Sequence, residues 1–120
     1  MLSERASILQ RRRKLFDELR GLTRAPLMRG SVVERLRRCG KANCACARDP
    51  DARHGGKVLV VQLDGRTESQ SLRAEDEPVV RAAIAAYERV WAIINGLTAC
   101  ELAELRRAVR ERKRARRRRS

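Results

Sequence analysis

An apolar seam with steps of three and four residues marks the start of the chain. Its positions are Ile8, Arg12, Leu15, Leu19 and Leu22, of which one is charged. This spacing places them on one face of an α-helix. Ser3 is suited to cap the first turn, and Gly21 is suited to end the last one. The pattern therefore predicts an amphipathic helix over residues 3–20.

A second apolar seam lies in the C-terminal half. Its members are Val80, Ile84, Tyr87, Trp91 and Ile94. Their spacing predicts an amphipathic helix over residues 76–95, with both aromatic side chains in the core. The dipeptide Asn95-Gly96 is typical of a helix C-terminus, and a capping-box pattern begins at Thr98. We therefore expect a kink or break near Gly96, followed by a last helical segment to about residue 114.

The clearest β pattern covers residues 57–72. An apolar, β-branched run ends at Leu63, and a polar run begins at Arg66. Between them stands Asp64-Gly65, which accepts the positive φ angles of a two-residue hairpin turn. Such a turn pairs Leu63 with Arg66, Val61 with Glu68 and Leu59 with Gln70. A lone hairpin is marginally stable, so we expect its less polar face to lie on the helix over residues 76–95.

The charge of the chain is strongly positive and unevenly placed. There are 29 Lys and Arg against 15 Asp and Glu in 120 residues, a formal net charge of +14. Residues 1–50 carry +8 and residues 101–120 carry +7, around a middle of −1.

No apolar run is long enough for a membrane span or a secretory leader, so we expect a cytoplasmic protein without a membrane partner. In a reducing compartment, its cysteines favour metal binding over disulfides.

Three cysteines and the single histidine form a compact cluster in sequence. Cys39, Cys44, Cys46 and His54 follow the spacing Cys-x4-Cys-x-Cys-x7-His. Three thiolates and an imidazole can complete a closed tetrahedral Zn²⁺ site, which is structural because it has no open position for water. One alternative is an iron–sulfur cluster with Cys100 as the distant fourth ligand. Another is three reduced thiols beside an ordinary loop histidine.

The motif around this cluster carries a family resemblance. It consists of Arg29-Gly30-Ser31, Glu34-Arg35, Arg38-Cys39-Gly40-Lys41, Asn43-Cys44, Cys46 and His54-Gly55. Over roughly residues 29–95 the chain resembles a family of small basic prokaryotic proteins, a domain of unknown function whose members accompany mobile-element genes. The family pattern continues with a proline and tyrosines, whereas this chain continues with Gly56-Lys57. Base stacking on those tyrosines is therefore not expected here.

The resemblance also decides between two interpretations of residues 31–38. Taken alone, Ser31 and Glu34 have capping-box spacing and suggest a short helix. The resemblance implies a strand leading into the metal turn. With that strand, the predicted fold is α+β: a small zinc-stapled, three-stranded antiparallel sheet flanked by an N-terminal helix and a long amphipathic C-terminal helix. The segments are 1–28 (helix and linker), 29–73 (metal-binding β region), 74–111 (helical region) and 112–120 (Arg-rich tail, disordered when free).

No nucleophile–base pair or phosphate-binding motif is visible, so we expect a protein that is not an enzyme. The basic residues predict binding to the phosphate backbone of a nucleic acid, DNA or RNA, in an accessory role to a mobile element. The residues expected to contact it are Arg35, Arg37, Arg38, Lys41, Arg48, Arg112, Lys113, Arg114, Arg116, Arg117, Arg118 and Arg119. The alternative is a helical adaptor whose seams form a homodimer or bind a partner protein, with a basic tail that docks on an acidic protein. Exposure of Leu15, Leu19, Ile84 or Trp91 in the single chain would favour that alternative.

Overall fold

The computed structural model describes residues 2–37, 39–52 and 54–119, without the side chains of Arg37 and His54. Its helices and strands are α1 (Glu4–Leu22), β1 (Ser31–Arg37), β2 (His54–Leu63), β3 (Arg66–Leu72) and α2 (Glu77–Arg119), with short 3-10 turns at Ala45–Ala47 and Pro50–Ala52. The strands form one antiparallel sheet in the order β1-β2-β3. The predicted α+β class, with one helix before a three-stranded sheet and one long helix after it, is confirmed.

Contacts divide the chain into two compact units. The helical unit consists of residues 1–26 and 88–120, and the sheet unit consists of residues 27–87. Helix α2 contributes its first residues to the sheet unit and the remainder to the helical unit.

Helix α1 starts where the sequence predicted. The Ser3 hydroxyl accepts a hydrogen bond from the Ala6 amide at 3.1 Å, which satisfies one of the free amides of the first turn. The helix continues past Gly21 to Leu22, and Thr23 takes the C-cap position with its hydroxyl donating to the Arg20 carbonyl at 2.9 Å.

Ion pairs show that α1 and α2 run antiparallel in the helical unit. Glu18 near the end of α1 pairs with Arg89, and Glu4 at its beginning pairs with Arg110. Between them, Nε of Arg12 lies 3.0 Å from Glu101. Residues near the end of α1 thus pair with the earlier part of α2, and residues near its beginning pair with the later part. The charged seam position Arg12 is satisfied by this pairing.

The buried stripe of α2 differs from the predicted seam by one residue. Ala83 is 4% exposed, Ile93 0% and Cys100 4%, whereas Trp91 is 57% exposed. The prediction that Trp91 is a core residue was therefore wrong. The pattern gave most weight to large apolar residues, but two helices approach most closely where side chains are small. In the helical unit the small residue Cys100 lies on the buried stripe, while Ala83 is a buried residue of the sheet unit.

Helix α2 does not break near Gly96. It is continuous over 43 residues, and the Thr98 hydroxyl donates to the Ile94 carbonyl at 2.9 Å instead of capping a new helix. The helix also includes Arg112–Arg119, which the sequence predicted to be disordered. Extending an existing helix avoids the cost of nucleation, and arginine is a good helix former. Basic residues in a last turn also interact favourably with the helix dipole.

The predicted hairpin is confirmed in turn and register. Leu63 pairs with Arg66, Val61 with Glu68 and Leu59 with Gln70. Asp64 and Gly65 have φ angles of 51° and 81°, as a turn with two left-handed residues requires. Strand β2 begins three residues earlier than expected, at His54, and there it pairs with β1.

Residues 31–37 form the strand that the resemblance implied, and the helical alternative was wrong. Strand β1 pairs with β2 from Ser31 opposite Val60 to Arg37 opposite His54. Arg38, the last residue of the predicted strand, lies outside the described residues.

Hydrogen bonds to two backbone carbonyls hold the segment before β1 within the sheet unit. The Met28 amide donates to the Ala83 carbonyl at 3.1 Å, and an Arg29 guanidinium nitrogen donates to the Gln62 carbonyl at 3.4 Å. A β-carbon at Gly30 would lie 2.8 Å from Cγ1 of Val61, closer than real side chains pack. These contacts explain Arg29 and Gly30 in the motif. Packing of the hairpin face on α2 stays a prediction.

Candidate metal centre

Three thiols meet in the loop between β1 and β2. The Sγ atoms of Cys39, Cys44 and Cys46 all lie within 4.8 Å of one another. Those of Cys39 and Cys46 are 3.4 Å apart. Cys39 follows β1 closely, and Cys44 and Cys46 lie at the 3-10 turn Ala45–Ala47. The three cysteines are thus positioned to hold a metal ion.

Tight turns of the backbone bring these thiols together. Gly40 has a φ of 87°, a left-handed conformation that glycine adopts without strain, directly after the first cysteine. The Cys44 amide then donates to the Lys41 carbonyl at 3.2 Å, and the Ala47 amide donates to the Cys44 carbonyl at 3.1 Å. The chain therefore reverses between the first cysteine and the other two.

The three sulfurs occupy different environments. Cys46 is fully buried, Cys44 is half-buried and Cys39 is exposed. The Cys39 amide donates to the Cys46 sulfur at 3.3 Å, an arrangement that supports a negatively charged ligand sulfur. The site thus has one side in the protein interior and one side near solvent.

Hydrogen bonds within the cluster move the thiol pKa values in opposite directions. The pKa of Cys44 is lowered, first by the backbone amide of Cys46 and then by hydrogen bonds from the thiols of Cys46 and Cys39. For Cys46, the Cys39 amide acts to lower the pKa, but burial and the two neighbouring thiols outweigh it and raise the pKa. The three thiols are thus close enough to shift one another's pKa values.

The separations suit a tetrahedral ion with sulfur ligands. With Zn–S bonds of ~2.3 Å, two thiolates of a regular tetrahedron lie about 3.8 Å apart. The 3.4 Å separation of Cys39 and Cys46 and the 4.8 Å limit for the whole cluster bracket this value. All four cysteines lie in the described part of the chain, and none of them forms a disulfide.

The predicted fourth ligand, His54, is placed by its backbone alone. It is the first residue of β2 and pairs with Arg37, two residues before Cys39. Its side chain lies outside the described part of the structure.

Cys100, the fourth ligand of the iron–sulfur alternative, is buried in α2. Among the described residues, it is not a member of the cysteine cluster.

A family model for a domain of unknown function, DUF6788, matches residues 5–82. The chain belongs to this family. The match includes the cysteine cluster, the whole sheet and most of α1, so it starts earlier and ends earlier than the resemblance over residues 29–95. Comparison with curated proteins finds no match, and neither does comparison with solved structures.

The predicted nucleic-acid contacts of this DUF6788 member fall on both units. In the sheet unit, Arg35, Lys41 and Arg48 are exposed, while Arg38 and the side chain of Arg37 lie outside the described residues. The contacts expected in the C-terminal tail lie in the last turns of α2 instead. No helix in the described part of the chain combines the length and the apolar character needed to cross a bilayer.

The sequence pattern also underestimated an apolar surface of α2. Leu102 is 43% exposed and Leu105 57% exposed, in addition to Trp91. Both leucines continue the predicted seam at its own spacing beyond Gly96. The seam predicted from the sequence ended at the break expected near Gly96. Extending the same spacing past Gly96 would have identified both leucines as part of the seam.

Proposed function

We propose that this protein is a non-enzymatic nucleic-acid-binding protein, in which Zn²⁺ held by Cys39, Cys44, Cys46 and His54 is structural. Basic side chains bind the phosphate backbone with little dependence on sequence. The concentration of positive charge in the helical unit carries the proposal.

A structural role for zinc is supported by the small core of the sheet unit. Its buried apolar residues, among those described, are Cys46, Val58 and Ala83. So few buried groups leave a unit of this size in need of a covalent or metal staple. Structural zinc contributes on the order of 10 kcal/mol to folding. With three thiolates and one imidazole as ligands, no coordination position is open to activate water.

The helical unit holds most of the positive charge. It contains 18 basic and 7 acidic side chains, which is +11 of the total of +14. Five of these acids form ion pairs with arginines: Glu4, Asp17, Glu18, Glu101 and Glu104. Most of these acids are thus neutralised by ion pairs, chiefly between α1 and α2. A large excess of arginine is left on the surface of the unit. Such an excess favours a polyanion as partner.

The last fourteen residues of α2 concentrate this charge. Residues 106–119 hold 10 basic residues and one acid, all within a continuous helix. At 1.5 Å per residue they span about 21 Å. Duplex DNA carries a phosphate charge every ~1.7 Å of its axis, so a basic array of this length can displace several counterions. Because the array is helical in the free chain, little ordering entropy is lost on binding.

The character of the surface favours contact with the backbone of a nucleic acid over reading of bases. The chain has three aromatic residues, Phe16, Tyr87 and Trp91, which offer few rings for the stacking of bases. Arginines on the outside of a helix bind phosphates irrespective of sequence. The exposed Arg35, Lys41 and Arg48 supply a smaller second patch.

The proposal is tested by the salt dependence of binding to duplex DNA, single-stranded DNA and RNA, measured by fluorescence anisotropy. In one variant, Arg118→Gln and Arg119→Gln remove two charges from the end of α2. In its matched control, Arg66→Gln and Arg73→Gln remove two exposed charges from the sheet unit. Each lost phosphate contact flattens the slope of log K against log salt by ~0.9, so we expect a change of up to ~1.8 in the first variant and a smaller one in the control.

Equal slopes for the two variants would contradict a role for the end of α2. Absence of binding to all three nucleic acids at low salt would overturn the proposed function.

A further inference from the structure

Four large apolar side chains form an exposed row along α2. Trp91, Ile94, Leu102 and Leu105 are 57%, 43%, 43% and 57% exposed. At 100° per residue they lie within one narrow sector of the helix, with Thr98 between them. The buried residues Ile93 and Cys100 lie on another sector, which faces α1. Helix α2 therefore has two apolar faces in the helical unit, and the chain itself covers one of them.

Helix α1 has an exposed apolar row of its own. Leu2, Leu9 and Phe16 follow one another at seven-residue intervals and are 57%, 42% and 39% exposed. Beside it, the Arg12 guanidinium lies 5.7 Å from the centre of the Phe16 ring, and its Nε lies 3.0 Å from Glu101 of α2. The row on α2 holds four large apolar side chains and is the larger of the two.

We propose that the exposed row on α2 binds a second copy of the chain, with the two α2 helices antiparallel across a two-fold axis at Thr98. The spacing of the row on α2 is symmetric about this residue. Trp91 and Leu105 lie seven residues before and after it, and Ile94 and Leu102 lie four residues before and after it. A two-fold interface places the same patch against itself. Trp91 of each copy then packs on Leu105 of the other, and Ile94 on Leu102.

The charges around the row are complementary in the same arrangement. Residues 88–105 hold three acids and one arginine, and the basic run begins only at Arg106. Antiparallel pairing keeps the two basic runs at opposite ends of the dimer, whereas parallel pairing would place them side by side. The strong repulsion between like charges thus selects the antiparallel orientation.

One pair of charges fixes the register. Glu88 lies three residues before Trp91 and Arg106 fifteen residues after it, and at ~100° per residue both therefore point about 60° to the same side of Trp91. Both are exposed, and neither forms an ion pair within the described chain. About the Thr98 axis, Glu88 of one copy and Arg106 of the other differ in height by about 3 Å, since they are displaced from it by ten and eight residues at ~1.5 Å each. The dimer therefore contains two symmetric Glu88–Arg106 ion pairs.

The experiment is sedimentation equilibrium of the full, metal-loaded chain over a range of concentrations. We expect about twice the monomer mass, with dissociation on dilution. Leu105→Glu places a charge opposite Trp91 of the other copy and should weaken the dimer at least tenfold, while far-UV circular dichroism stays unchanged because Leu105 is exposed. Val79→Glu is the matched control, because Val79 is a 66% exposed residue of α2 outside the row. It should leave the dimer intact.

A charge exchange tests the antiparallel register. Glu88→Arg and Arg106→Glu should each weaken the dimer, since each places like charges together. The protein with both substitutions should regain most of the affinity, because the pair re-forms with its charges reversed. Added salt should strengthen the dimer by screening the net charge of +14 on each copy.

Several outcomes would overturn the proposal. These are a monomer at all concentrations, an unchanged mass for Leu105→Glu, or a doubly exchanged protein no better than the single variants. Capture of a helix from another protein by a chain that stays monomeric alone would support the adaptor alternative and reject self-association. Nucleic-acid binding is measured separately. Added salt should weaken that binding, whereas it should strengthen the dimer.

Discussion

Leu15 of α1 packs directly on the backbone of α2 at Gly96. A β-carbon at position 96 would lie 3.0 Å from Cδ1 and 3.5 Å from Cδ2 of Leu15. Glycine at this position is therefore used for close approach of two helices, although the sequence pattern suggested a helix end. The contact lies between the Glu18–Arg89 and Arg12–Glu101 ion pairs, and together they fix the register of the antiparallel helices.

Replacing Gly96 with valine should destabilise the protein. The added side chain would push Leu15 out of its contact, and overpacking of this kind costs ~1–3 kcal/mol. This loss exceeds the modest gain from replacing a glycine inside a helix. The free energy of unfolding, measured by urea denaturation of the metal-loaded protein, should fall accordingly.

A double-mutant cycle provides the control for this contact. Leu15→Ala removes the methyl groups that the valine would meet, so Gly96→Val should cost less in that background than alone. Gly21→Ala offers a further comparison, since nothing lies within 4 Å of its β-carbon position, and it should stabilise α1. Additive effects of the substitutions at 15 and 96 would show that the two residues do not pack as described.

The hairpin turn gives a prediction about backbone conformation alone. Gly65 has a φ of 81° and no atom within 4 Å of its β-carbon position, so Gly65→Ala introduces strain without a clash. A left-handed non-glycine residue costs roughly 1–2 kcal/mol. Gly56→Ala, in β2, is the matched control because its surroundings are equally open and its φ is not in the left-handed region. We expect urea denaturation to show a loss of stability for the first variant and none for the second.

The sequence predicted what local chemistry determines. Asp64-Gly65 specified the turn, the turn specified the hairpin register, and Ser3 specified the start of α1. Strand β1 could be chosen over a helix only through the family resemblance, because the capping-box spacing of Ser31 and Glu34 occurs in strands as well.

Features that depend on the partner of an element were not predicted. The face of α2 that packs on α1 is chosen by the small residues Gly96 and Cys100, which hydrophobic periodicity ranks below Trp91. Continuation of α2 through Gly96 also depends on a contact with another helix. For the candidate site, spacing identified three cysteines that do meet, since a short loop with a left-handed Gly40 leaves them few other arrangements.

The ion pair between Glu18 and Arg89 makes stability depend on pH. The hydrogen bond from Arg89 lowers the pKa of Glu18 below its ordinary value of 4.5 in the folded protein. A carboxylate with a lowered pKa stabilises the fold above its unfolded pKa, and this contribution is lost as the pH falls through the folded pKa. Glu18→Gln should therefore reduce the thermal midpoint at neutral pH, and its difference from the wild type should shrink in acid.

The control for this prediction is Glu68→Gln. Glu68 is an exposed residue of β3 and forms no ion pair among the described residues, so its replacement changes the net charge by the same amount without breaking a pair. A difference of the same size and pH dependence for both variants would mean that net charge, and not the pairing with Arg89, is responsible.

Metal content provides the most direct test of the cysteine cluster. Cys46 is 0% exposed and Cys100 4% exposed, so the two are matched buried cysteines of which only Cys46 belongs to the cluster. Cys46→Ser should lose both the metal and the cooperative unfolding of the sheet unit, since structural zinc and folding are coupled. Cys100→Ser should retain the metal content of the wild type, measured by elemental analysis.

The same measurement decides the identity of the metal and of its fourth ligand. We expect a colourless protein with about one zinc per chain, because Zn²⁺ has no d–d or charge-transfer bands in the visible range. His54→Ala should weaken zinc retention against a chelator, since only the three thiolates would remain. Visible absorption together with bound iron and a loss of metal in Cys100→Ser would establish the iron–sulfur alternative. A chain that folds fully without any metal would show that the three thiols are simply reduced cysteines.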